Sequence, residues 1–126
     1  MKDKVSARIF SLQKKLLGIQ AYTEANGNAL FKYSIEFESV LSLLIRTDNQ
    51  KFRLIYEDYY KNTQVFCRLC CEFYEENNRY QAFSAGFNKL YFYLGECLKI
   101  LAEHDYQPQT NVKSPEKEEL LPPLNL

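Results

Sequence analysis

The sequence predicts an all-α protein, an antiparallel four-helix bundle followed by a disordered C-terminal tail. Apolar residues recur at alternating steps of three and four along four segments, which is the spacing of one face of a helix. The first 107 residues contain no proline, so long uninterrupted helices can form there. All four prolines follow, at Pro108, Pro115, Pro122 and Pro123. We place the bundle at residues 1–105 and the tail at residues 106–126.

The first two predicted helices span residues 3–22 and 29–46. The first carries one apolar stripe, made of Val5, Ile9, Leu12, Leu16 and Ile19. Asn-Gly at positions 26 and 27 is a turn signal, and Asn28 is a residue type favoured at helix N-caps. The second helix has its own apolar line, made of Leu30, Phe37, Leu41 and Leu44.

The third and fourth predicted helices span residues 50–76 and 79–104, and the pair Asn77-Asn78 separates them. The third carries a heptad line of Phe52, Tyr56, Tyr59, Thr63, Phe66, Cys70 and Phe73. The fourth carries the longest stripe, made of Tyr80, Phe83, Phe87, Leu90, Leu94, Cys97 and Leu101. Two long heptad helices joined by a short turn predict an antiparallel hairpin.

Composition and sequence pattern argue against several classes of function. The formal net charge is zero, whereas dedicated nucleic-acid binders usually have a basic excess, so we do not expect a nucleic-acid partner. No stretch approaches the roughly 18 consecutive apolar residues of a membrane span. The N-terminus lacks the apolar core of an export signal, and the cysteines are clustered rather than spaced as a disulfide framework. We therefore expect a cytoplasmic or nuclear protein.

The cysteines are predicted to be structural. Cys67, Cys70 and Cys71 share one predicted helix, and with Cys97 and His104 they would suffice for a zinc ion. Against zinc, Cys70 lies on the core line of that helix while Cys67 and Cys71 lie on its flank. Neither a glycine-rich phosphate loop nor a nucleophile–base signature is present. We expect no cofactor, no metal and no enzymatic activity.

The aromatic residues give the main functional hypothesis. Tyr91-Phe92-Tyr93-Leu94 is apolar or aromatic all round, so one stripe cannot bury it. The residues predicted to form a second, partner-binding face are Phe92, Tyr93, Ile100, Leu54 and Val65. Large aromatic side chains are enriched at protein interfaces. We expect a non-catalytic interaction module, an adaptor or regulatory subunit, that binds another protein or a second copy of itself through this face or the tail.

Two further features leave alternatives open. Lys4, Arg8 and Lys15 lie opposite the apolar stripe of the first helix, so this helix could contact an anionic membrane or nucleic-acid phosphate. In the tail, Ser114 begins a Ser-Pro-Glu-Lys sequence typical of proline-directed phosphorylation sites. Leu120, Leu121, Leu124 and Leu126 surround two prolines, which suits a peptide ligand for a groove or a segment that folds back on the bundle.

Overall fold

The computed structural model describes residues 2–47 and 49–106, and no β-strand occurs among them. The α-helices are α1 (Lys2–Leu17), α2 (Glu24–Leu44), α3 (Gln50–Asn62), α4 (Gln64–Glu72) and α5 (Glu76–Tyr106). A short 3-10 turn, Ile45–Thr47, follows α2. The predicted all-α bundle is confirmed, with α3 and α4 in the place of one predicted helix. The predictions for residues 107–126, including the phosphorylation site Ser114, lie outside the described residues.

Contacts between helices establish the antiparallel arrangement. Between α1 and α2, Arg8 donates to Ser39 Oγ at 3.2 Å and Lys15 pairs with Glu36 at 3.4 Å. Between α3 and α5, Lys51 pairs with Glu103 and Asp58 pairs with Lys89. In both pairs of helices the residue number rises along one helix as it falls along the other.

The central element is α5, which contacts each of the other four α-helices. Its buried side chains include five of the seven residues in the predicted stripe, namely Phe83, Leu90, Leu94, Cys97 and Leu101. The α1 stripe is also buried, from Val5 to Ile19. The hydrophobic core therefore lies along α5, with α1, α2 and the α3–α4 segment packed around it.

The first connection differs from its prediction. The N-cap of α2 is Thr23, whose hydroxyl accepts a hydrogen bond from Asn26 N at 3.0 Å, so α2 begins five residues before the predicted start. Asn28 as N-cap and Asn26-Gly27 as a turn are both wrong. Gly27 is buried inside α2, where an added Cβ would lie 3.4 Å from the Cys70 carbonyl oxygen. A glycine here permits close packing of α2 on α4 instead of forming a turn.

The third predicted helix breaks at Thr63, whose φ and ψ are −121° and −41°. Thr63 and Cys70 of the predicted core line are buried, whereas Phe66 of that line is exposed and Cys67, predicted on the flank, faces the core. The helix that follows ends at Glu72 rather than near residue 76. Asn77 and Asn78 lie in the first turn of α5 instead of between helices, so both predicted boundaries are wrong.

Two glycines of α5 should respond in opposite ways, in protein stability, to substitution by alanine. A Cβ at Gly86 would lie 2.9 Å from Cys67 Sγ and 3.2 Å from the Cys67 backbone nitrogen, whereas a Cβ at Gly95 meets nothing within 4 Å. Gly86→Ala should therefore lower the free energy of unfolding by about 1–3 kcal/mol through overpacking. Gly95→Ala should raise it by about 0.5–1 kcal/mol because alanine is the better helix former. Urea denaturation of both variants tests this contrast, and equal effects would contradict it.

Candidate functional site

A groove of about 400 Å³ lies between α3 and α5, within the size range of small-ligand pockets. We call it the α3/α5 groove. Its apolar lining consists of Leu54, Ile55, Phe92, Tyr93 and Ile100. It thus brings together four of the five residues predicted to bind a partner. The fifth, Val65, is half-buried on α4 and does not line the groove.

The four residues differ in exposure. Leu54 is 57% exposed and Phe92 is 56% exposed, so both face outward as predicted. Tyr93 and Ile100 are only 2% and 7% exposed, so the prediction that they face outward is wrong. Tyr93 is buried because its ring stacks on Phe37 at 6.1 Å between centroids. Both α2 and α3 therefore cover the Tyr93 side of α5, through Phe37 and Tyr59 respectively.

Charged side chains surround the apolar lining. Lys51 and Glu103 form an ion pair at 2.8 Å, and Lys99 pairs with Glu96 at 3.3 Å. These pairs are solvent-exposed, so they contribute little to stability. An apolar centre with a polar rim is the usual organisation of a protein interface.

A hydrogen-bond network closes the inner end of the groove. The Tyr93 hydroxyl donates to the Asp58 carboxylate, and Thr63 Oγ1 lies 2.9 Å from the Tyr93 hydroxyl. The bond from Tyr93 is the main reason that the pKa of Asp58 is lowered, with Asn62 and Lys89 adding to it. Burial, followed by the bond to Asp58, raises the pKa of Tyr93 to about 12. At neutral pH both groups keep fixed protonation states, which suits a structural role better than acid–base catalysis.

Sequence reasoning missed the polar residues of the groove. Lys51 and Asp58 lie three residues before and four residues after Leu54 on α3. Residues at these spacings share one face of a helix. The position of Leu54 was therefore the signal that could have identified both of them.

The cysteines pack as small apolar side chains. Cys67, Cys70 and Cys97 are buried, and Cys71 is half-buried. The Cys71 thiol donates to the Gly27 carbonyl at 3.3 Å, and the Cys70 thiol donates to the Cys67 carbonyl at 3.1 Å. Within residues 2–47 and 49–106, no group of three His, Cys, Asp or Glu is arranged to hold a metal ion.

The basic face of α1 is partly engaged inside the molecule. Arg8 donates to Ser39, and Lys15 pairs with Glu36. The Lys15 ammonium also lies 5.6 Å from the centroid of the Tyr33 ring. Lys4 is exposed. Two of the three residues predicted to contact an anion are thus directed toward α2, which weakens the electrostatic alternative. None of the described helices is long and apolar enough to cross a membrane.

Comparisons with known proteins do not extend this description. No family model, no curated protein and no solved structure matches the chain. In the α3/α5 groove, exposed apolar side chains, a buried aromatic floor and a polar rim occur together.

Proposed function

We propose that this chain is a non-catalytic protein–protein interaction module that binds an apolar segment of a partner protein in the α3/α5 groove. The observation that carries this proposal is the placement of Leu54 and Phe92. Both are more than half exposed, and both line the same groove above Tyr93 and Ile100. Exposed apolar side chains gathered in a groove with a polar rim are a mark of interaction sites.

The groove favours a peptide segment over a large rigid surface. Complete burial of a large apolar side chain contributes about 1.5–3 kcal/mol. Leu54 and Phe92 are already half covered, so together they contribute roughly 2 kcal/mol when a partner covers them. Backbone hydrogen bonds between the segment and polar groups of the rim must supply the remainder. Such a balance is typical of transient recognition of short segments.

Selection from a phage-displayed library of random peptides tests this proposal, with the full chain as bait. Peptides that contain leucine and aromatic residues should be enriched. The double substitution Leu54→Asp and Phe92→Asp should abolish the enrichment, because it places charge at both exposed apolar positions of the groove.

The chain offers a matched control on α1. Phe10 is 55% exposed and Leu17 is 49% exposed, and neither lines the groove. Phe10→Asp with Leu17→Asp should leave peptide enrichment unchanged. Both double variants should keep the helicity of the wild type, with similar, moderate decreases in melting temperature. Equal enrichment on the groove variant and the wild type would refute the proposal. So would a failure to enrich peptides on both the wild type and the tail variant Leu121→Glu with Leu124→Glu.

A further inference from the structure

The chain leaves α5 at one end of the groove. The ion pair of Lys51 with Glu103 lines that end, and α5 ends three residues after Glu103, at Tyr106. Residues 107–119 separate this point from Leu120 and can span at most about 45 Å. The α5 wall of the groove, from Phe92 to Glu103, is about 16 Å long. The segment after residue 119 can therefore reach every part of the groove.

Residues 120–126 have the chemistry that the groove accepts. Four leucines flank Pro122-Pro123, and no side chain of this segment is ionisable. The two prolines favour an extended backbone and lack amide hydrogens, so fewer donors lose water when the segment enters an apolar site. Grooves lined by aromatic rings recurrently bind proline-containing segments, and the exposed Phe92 ring lines this one.

The rim of the groove is compatible with a neutral occupant. Lys51 pairs with Glu103, Lys99 pairs with Glu96, and Asp58 pairs with Lys89. A segment without ionisable side chains covers the apolar lining without breaking any of these pairs.

A second copy of the chain is the competing occupant. A stable dimer interface buries about 800 Å² on each partner, whereas the groove offers only two large exposed apolar side chains, Leu54 and Phe92. A tethered segment needs much less contact area, because the tether keeps its effective concentration at the groove high.

We propose that residues 120–126 occupy the α3/α5 groove of their own chain, so that a partner must displace them in order to bind. This inference rests on the proposed function and adds a regulation to it. The tail then acts as an internal competitor, and its release controls access to Leu54 and Phe92.

Nuclear magnetic resonance of the full chain labelled with ¹⁵N tests this inference. The amide resonances of the wild type are compared with those of the double variant Leu121→Glu with Leu124→Glu. Differences should concentrate at Leu54, Phe92 and their neighbours along the groove, and they should persist on dilution. Val112→Glu places a charge at another apolar tail position and should leave the groove resonances unchanged.

The other outcomes separate this inference from the proposed function. Unchanged groove resonances in the leucine variant would overturn occupation by the tail, as would differences that disappear on dilution, which point to a second copy. Peptide enrichment from the library would still support the proposed function in either case. If the tail does occupy the groove, the leucine variant should also capture more library peptide than the wild type.

Discussion

Phe37→Ala should lower the free energy of unfolding by about 3–5 kcal/mol, as truncation of a well-packed phenylalanine does. The Phe37 ring is fully buried and meets Tyr59 edge-on at 5.3 Å and Tyr93 in a stack at 6.1 Å. Its removal leaves a cavity where α2, α3 and α5 meet and eliminates both aromatic contacts. Urea denaturation followed by circular dichroism measures the loss.

Phe10→Ala is the matched control for this prediction. Its ring is exposed on α1, so the substitution should change stability by less than about 0.5 kcal/mol. A domain of this size has a total stability of about 5–15 kcal/mol, so the Phe37 variant is best measured in the cold with stabilising salt. Similar losses in the two variants would show that Phe37 does not lie at the centre of the core.

Periodicity predicted the helical faces well because the helix period is a local property of the backbone. The α5 residues Phe83, Leu90 and Leu94 repeat at steps of seven and four, and all three are buried. The α1 stripe from Val5 to Ile19 is buried for the same reason. A face that keeps its spacing over several turns must be covered by another element, whatever the identity of that element.

The helix break at Thr63 was not predicted because Asn62 and Thr63, although residue types favoured at helix caps, lie within one continuous heptad line. No glycine or proline occurs between residues 50 and 76. The break coincides with tertiary contacts instead. The fully buried Thr63 hydroxyl lies within hydrogen-bond distance of the Tyr93 hydroxyl, and Cys67 packs against Gly86. Such contacts depend on how the helices cross, which periodicity along one helix does not contain.

The sequence predicted the exposure of only part of the candidate site, because burial off the main stripe also depends on how the helices cross. Leu54 and Phe92 fall off the apolar stripes of their helices, and both are exposed. Tyr93 also falls off the main stripe, yet it is buried, because α5 contacts all the other helices and is covered on more than one side. An apolar residue off the stripe therefore does not show by itself whether another helix of the chain covers it.

The second large effect is expected in alkaline solution, where the bundle should lose stability as the pH rises above about 9. Burial raises the pKa of the Cys67 and Cys97 thiols from an ordinary value of 9.0 to about 12. Burial also raises the pKa of Cys70, Tyr59 and Tyr93. All of these groups are neutral in the folded protein at neutral pH.

The sign follows from proton binding. Above pH 9 the unfolded chain releases the thiol protons while the folded chain retains them, so stability is fully present below pH 9 and is lost toward pH 12. Each pKa unit corresponds to about 1.4 kcal/mol. At pH 12 the two thiols together therefore lower the free energy of unfolding by several kcal/mol. Urea denaturation at increasing pH, under reductant and without oxygen, measures this loss. Cys97→Ala should make the decrease in the free energy of unfolding between pH 9 and 10 shallower. This pH range reports mainly on thiols, because tyrosines of the unfolded chain ionise only near their ordinary pKa of 10.0. A stability that stays constant from pH 9 to 12 would mean that water reaches these thiols in the folded protein.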